Sequence, residues 1–552
     1  MEDRRTLIAF ALIGAVLVLL PYYYRWVGIE GEPEKEIFPT DVAREENNIT
    51  RPIDQNEDKL TFDTPPNDRL DTFVERDVVV TTDVMELIFS TKGGAIRSCK
   101  LFEYEGLDNH TVQLIPSNGR GMVLSFEEED EDISLSKAEF VPDNYELVVQ
   151  PEGTGTLRMR SNLGQNRYIV KTYTFKGSEY AFNFEIEYSG FSIDESWRIK
   201  WVEGVDITEK DPAIDIREAK ALSLMGGTVN SIQVDREGNI EEFTDRGQVN
   251  WVGARNKYFI VAMVPTQLGD RQTVSLYGRG RGRDKLPKYV LELSGRSGGN
   301  GKLAGMVYTG PIDYDHLRLY DVGLERAIDF GWPVVREISR LLLIVFKGMY
   351  DYVPNYGVVI IIFAVGIKLL VYPLTHKTYE STAKMQELQP KIQALKEKYG
   401  KDQQRLSKET MKLYKDEGVN PLGGCLPMIL QMPIFFALYN LFGRTIELRR
   451  APFVLWIQDL SVPDALHFGG IDVHVLPLVM AGSMLIQQKM TMKDPKQAML
   501  VYLMPAVMVF IFWRMSSGLV LYWTVFNLLT ILQQSLVKAK STPGPVISTK
   551  NL

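Results

Sequence analysis

The chain of 552 residues has only two cysteines and five histidines, and that scarcity excludes several kinds of chemistry. Cys99 lies in a polar, alternating region and Cys425 in an apolar run, so they are poor partners for a disulfide and neither stands at a metal-ligand spacing. His110, His316, His376, His467 and His474 are scattered and form no HExxH, so neither a metal nor any other cofactor is expected. An excess of positive charge is also missing. The net charge of −8 argues against direct binding of nucleic acid. The most informative absence is in the apolar runs. Val353–Pro373 and the four long runs after it contain no Asp or Glu.

What stands in the first of those runs is a lysine, Lys368. An ionisable side chain at membrane depth costs roughly 2.5–3.5 kcal/mol on insertion scales and marks a functional candidate. Lys368 lies five residues before Pro373, about 7.5 Å along a helix, so snorkelling to the interface is the simpler alternative. With no acidic residue in the last five runs, the sequence offers it no ion-pair partner, which leaves a wet cavity receiving a polar or anionic guest.

In chain order, residues 1–27 read as an uncleaved signal anchor. Arg4 and Arg5 precede an apolar run that ends in aromatic residues with no small-x-small cleavage site. Residues 28–73 are acidic, proline-containing and poor in large apolar side chains, the composition of a flexible linker. From 74 to 312 the period becomes two. Tyr180, Phe182, Phe184, Ile186 and Tyr188 alternate with polar residues, and similar runs occur at Val78–Ser90, Arg167–Phe175, Tyr258–Val264 and Tyr289–Leu293. An all-β domain of two packed sheets is expected there. Ser294–Lys302 and Gly278–Arg283 resemble anion-binding loops but lack the strand-to-helix context, so they read as strand connections.

Residues 330–352 form a two-faced helix that either lies in the membrane interface or packs on the β domain. Spans follow at 353–373, 424–442, 475–490, 499–514 and 519–537, the last two separated by Arg514-Met-Ser-Ser-Gly518. With the anchor this makes six spans, and both termini fall on one side. The connection 374–420 holds ten Lys or Arg against seven acidic residues, and the tail 538–552 adds Lys538, Lys540 and Lys550. The positive-inside rule therefore places both termini in the cytoplasm, and the segment 443–474 and the β domain outside. Within 374–420, Met385, Leu388, Ile392, Leu395 and Tyr399 recur at spacings of three and four, the seam of a helical hairpin that Pro390 should bend. Its charged faces are either simply solvated or dock anionic lipids or a ribosome.

Lys368 has polar company. Gln431 sits in the third span, Ser483 and Gln487 share a face of the fourth, and Trp523, Asn527, Thr530 and Gln534 form a stripe on the sixth. Gln and Asn in such places are often only interhelical glue, at about 0.6 kcal/mol each. The runs Val371-Tyr-Pro-Leu-Thr375, Lys384-Met-Gln-Glu-Leu-Gln-Pro-Lys-Ile-Gln393, Val419-Asn-Pro-Leu-Gly-Gly-Cys425, Leu430-Gln-Met-Pro-Ile434 and Ser517-Gly-Leu-Val-Leu-Tyr-Trp523 resemble the bacterial YidC membrane protein insertases, over about residues 330–538. The anchor and β domain are similar to the Gram-negative form in architecture.

That resemblance implies a five-span insertase core with an anchor, a periplasmic β-supersandwich and a cytoplasmic hairpin in the bacterial inner membrane. It implies an insertase and chaperone for nascent membrane proteins, acting alone or with the Sec translocon and its accessory subunits, and not an enzyme. Its groove is open to cytoplasm and lipid. By position Lys368 falls where the family usually has Arg, Gln431 on its groove glutamine, and Tyr522, Trp523 and Asn527 on its polar sixth-span positions; Gln534 continues that stripe. Ala364 departs from the hydroxyl of some members. Two competing readings are a secondary transporter, which would need an acidic coupling residue and internal repeats, and an envelope sugar-binding protein anchored by the bundle.

Overall fold

The computed structural model describes residues 73–541 apart from short internal stretches: 108–109, 129–130, 165, 192–195, 235, 268–271, 283–284, 297–299, 401, 420–425, 469–470 and 492–497. The expected anchor, the linker and the tail beyond 541 lie outside the described residues, as does Cys425.

Strands run from Asp77–Thr81 to Gly301–Pro311 and form an 11-stranded and a 9-stranded sheet, almost wholly antiparallel. The alternating run around Phe182 is the strand Ala181–Ser189, paired with Arg167–Lys176 on one side and Gly301–Pro311 on the other. Its apolar parity faces inward because a period of two puts every second side chain on one face. The two sheets meet ring to ring: Phe89 packs on Tyr173 at 4.7 Å and Phe126 on Tyr188 at 5.1 Å. Each such fully buried ring contributes roughly 1.5–3 kcal/mol. The run Val78–Ser90 is not one strand but two, Asp77–Thr81 and Met85–Ser90, which pair antiparallel around a turn where the Thr82 hydroxyl accepts from the Met85 amide at 3.1 Å. Ser294–Lys302 does join two strands, and Arg281 of the glycine-arginine run pairs with Glu203 at 2.7 Å.

Two short helices interrupt and close the β region, α1 (Pro212–Glu218) and α2 (Tyr314–Arg318). Then come α3 (Pro333–Tyr350), α4 (Tyr356–Glu387), α5 (Gln389–Tyr399), α6 (Gln403–Asp416), α7 (Leu426–Arg444), α8 (Val475–Thr491), α9 (Ala498–Phe512) and α10 (Ser517–Ser541). In α3, Pro333 supplies the first-turn φ, and Val335, Leu342, Leu343 and Phe346 are buried, chiefly against α7. Its other face leaves Trp332, Val334, Leu341 and Ile344 exposed. The helix thus packs by one side and keeps a second, apolar side uncovered.

Asn355 caps α4 by accepting from the Val358 amide at 3.1 Å, and α4 continues through Pro373 into the hairpin. Pro390 does not bend a helix: α4 ends at Glu387 and Pro390 sits in the first turn of α5, where a missing N–H costs nothing. The hairpin seam is shorter than the spacing predicts. Leu388 and Ile392 are buried with Val419, with Met385, Leu413 and Tyr414 against them, while Leu395 and Tyr399 are only half-buried and outside that cluster. Among the described residues, Tyr356–Pro373 and Ser517–Leu536 are long and apolar enough to cross a membrane, and Val501–Phe512 is apolar but shorter.

Candidate functional site

Helix α10 is the hub of the bundle and packs against α4, α8 and α7. Toward α4 it presents Tyr522, Phe526, Thr530 and Gln533, at steps of four, four and three. The Phe363 and Tyr522 rings meet at 6.1 Å. Further along, Lys368 Nζ donates to Thr530 Oγ1 at 2.7 Å and lies 4.6 Å from the Phe526 ring centroid. One turn beyond, Gln533 Nε2 donates to Thr375 Oγ1 at 3.2 Å. The Thr530 hydroxyl donates its own proton to the Phe526 carbonyl at 2.8 Å, so its lone pairs are aimed at the ammonium.

This corrects the expectation of a lysine without a partner. Lys368 is 6% exposed and is held by a hydroxyl and an aromatic face on α10, not standing in open water. A cation over a ring within about 6 Å is worth about 0.5–2 kcal/mol, more when desolvated. What α10 offers the ammonium is a neutral hydroxyl and a ring face.

Toward α7, the Gln431 amide nitrogen and the Tyr522 hydroxyl are buried within reach of each other, and neither has a further hydrogen-bond partner among the described residues. A buried polar atom left so costs about 1–3 kcal/mol, which a polar guest would recover. Toward α8, Asn527 Nδ2 donates to Ser483 Oγ at 3.4 Å, and Ser483 in turn donates to the Met480 carbonyl at 2.6 Å. Lys368, Gln431, Tyr522 and Asn527 therefore lie around one helix. Trp523 does not join them: it stacks edge-on against Phe435 at 5.2 Å and near Phe512 at 5.8 Å, in an aromatic cluster with α7 and α9. Gln534 is half-buried, and the fully inward glutamine is its neighbour Gln533. Thr530 stood in the stripe, but Thr375, Gln533 and Phe526 escaped the sequence reading. Spacing from Thr530 and Tyr522 was the signal that could have found the last two.

Two family models match consecutive parts of the chain, the YidC periplasmic domain over residues 77–344 and the 60Kd inner membrane protein over 348–543. An insertase YidC of Chlorobium phaeovibrioides is 30% identical over an alignment covering 85% of this chain and 84% of that one. One from Pelobacter propionicus is 35% identical, covering 84% and 86%. The chain belongs to the YidC membrane protein insertases. A crystal structure of an active YidC insertase with its first transmembrane domain resolved covers 86% of this chain and 94% of its own, at 19% identity and a TM-score of 0.37, too loose a likeness to add to the assignment. Like other YidC proteins, this is an inner membrane protein with a β-rich periplasmic domain, and it is an insertase for membrane proteins, not an enzyme.

Proposed function

We propose that the α4–α10 seam is where the polar segment of an incoming membrane protein is received, with Lys368 as the receiving cation. The observation that carries this is the pairing of Lys368 with a neutral hydroxyl. A carboxylate adds a Coulomb attraction to the ammonium that a neutral hydroxyl lacks, so an acidic group on the passenger can displace Thr530 from Lys368. The Gln431 and Tyr522 groups, two turns back along α10 and with only each other as partners among the described residues, favour a polar backbone or side chain as guest. The passenger's own apolar segment supplies the driving force as it enters lipid, so no nucleotide is needed.

In this reading residues 1–27 anchor the chain, both termini face the cytoplasm and six spans cross the inner membrane. The α5–α6 hairpin then lies on the cytoplasmic side, where its charged outer faces suit anionic lipid headgroups or a ribosome. The protein works alone or beside the Sec translocon. The test is a substitution series at position 368, read by insertion of a single-span substrate with an acidic exported tail. Lys368→Ala should lower insertion about tenfold, and Lys368→Arg should stay within about twofold, since one lost charge-assisted contact is worth roughly 1.4 kcal/mol. Equal insertion by all three versions leaves only snorkelling.

A further inference from the structure

The β domain meets the outer end of the bundle at a seam that neither the sandwich core nor the Lys368 site uses. At its centre is Arg449, in the loop after α7, whose side chain is 3% exposed and whose partner Glu209 is 5% exposed. Arg449 Nε donates to Glu209 Oε1 at 2.7 Å, and Nη2 donates to the carbonyls of Glu105 at 2.7 Å and Thr208 at 3.2 Å. Its guanidinium lies 5.8 Å and 5.3 Å from the ring centroids of Tyr258 and Phe259. All five of these neighbours belong to the β region. Beside it, Arg450 pairs with Glu105 at 3.0 Å and Lys257 Nζ donates to the Ser461 carbonyl at 3.3 Å. Lys347 of α3 closes the seam against Asp315 at 2.5 Å and Glu447 at 2.8 Å.

Desolvating a guanidinium and a carboxylate is costly, and the cost is recovered only when the geometry is fixed and the remaining donors are satisfied. Arg449 has its Nε and Nη2 donors on acceptors of the β region, which favours this arrangement of the seam over others. The same loop is bonded at its other end to α10. The Leu460 carbonyl accepts from the Gly518 amide at 2.9 Å, the Val462 carbonyl from the Ser517 amide at 2.8 Å, and Ser517 Oγ donates to the Asp459 carbonyl at 2.8 Å. The approach is close enough that a Cβ on Gly518 would stand 3.1 Å from the Leu460 oxygen. Phe453 likewise covers the first turn of α4, where a Cβ on Gly357 would fall 2.0 Å from its ring. A continuous bonded path therefore runs from Glu209 in the β domain to the first turn of the helix that carries Tyr522, Asn527 and Thr530.

We infer that residues 444–464 are a latch: anchored to the β domain through Arg449, they fix the outer end of α10, so that displacement of the periplasmic domain is transmitted to the helix at the centre of the bundle. The latch itself stands on the seam alone; only its consequence for insertion rests on the reading proposed above.

The test is amide hydrogen exchange on the full chain in lipid nanodiscs, in the peptide that holds Ser517 and Gly518, for wild type, Arg449→Met and Glu209→Gln. Both variants should speed exchange at Ser517 and Gly518 at least tenfold, with the strand Gly301–Pro311 unchanged. Faster exchange confined to 446–452, with Ser517 and Gly518 as in wild type, overturns the latch. If Arg449→Met also loosens Gly301–Pro311, the near-isosteric Glu209→Gln decides. Lys368→Ala should leave these two amides at wild-type rates, so failure of the insertion reading and failure of the latch are separate results.

Discussion

The Lys368 ammonium is held by a hydroxyl and a ring from another helix, Thr530 and Phe526 of α10. Thr530 and Phe526 are more than 150 residues away, and only the pairing of α4 with α10 brings them to the ammonium. If Thr530 positions that ammonium, Thr530→Val should lower insertion of acidic-tailed substrates about threefold to tenfold and Thr530→Ser should restore it. In a Lys368→Ala background the same change should do nothing further, because its effect runs through the lysine. Additive losses in the double variant would make Thr530 a packing residue only.

A second buried lysine shows how a residue-scale signal can be overlooked. Lys171 shares its inward parity with Ile169, Tyr173 and Phe175, and its ammonium donates to the carbonyls of Gly93 at 2.9 Å and Gly94 at 3.0 Å, in a turn of the opposite sheet, and of Met122 at 3.0 Å, in one of its strands. The period of two placed it inside, but a lysine in a strand is ordinarily read as exposed. Burial pushes its ammonium down to about 7 from 10.5. Above that value the unfolded chain binds a proton that the fold does not, so stability should rise with pH, by at most about 1.4 kcal/mol per pH unit. Between pH 7 and 8, where the tyrosines of the unfolded chain stay protonated and its cysteines mostly so, the unfolding midpoint followed through buried Trp197, Trp201 and Trp251 should increase. Lys171→Met should have a flatter profile; an unchanged slope would assign the effect elsewhere.

At the scale of elements, the helices and the strands around Val79, Val170, Phe184, Val261 and Leu291 were legible because their periods are properties of neighbouring residues. Boundaries were less so. Pro390 sits among seam residues, and spacing alone does not distinguish a proline that bends a helix from one that opens the next; the helix boundary at Leu388 decides it. The hairpin seam was overextended for a related reason. Leu395 and Tyr399 keep the spacing, but the partner helix offers Leu413 and Tyr414 only near the base, where Val419 closes the cluster. A core of three buried residues is small, so Ile392→Ala should open the hairpin to limited proteolysis within 388–419 while the β domain stays resistant. Protection equal to wild type would mean that something other than this cluster holds the hairpin together.

At the scale of the whole molecule, the division into a two-sheet β region and a helical bundle was readable from the change of period alone. The seam between them was not. Arg449 and Glu209 are separated by 240 residues, and surface-type residues that become buried in such a seam carry no periodic mark. Nor does apolar length settle how many helices cross the bilayer, since α7 and α8 carry Gln431, Ser483 and Gln487 in otherwise apolar runs. The central claim is that passengers visit the α4–α10 seam. Its most direct measurement is site-specific photocrosslinking to a ribosome-stalled nascent membrane protein, with the probe in turn at positions 368, 431 and 527, and at exposed Phe510 on α9 as the control. Crosslinks from the three inner positions and few from Phe510 are predicted. Crosslinks of equal strength from Phe510, or none from position 368, would contradict the account.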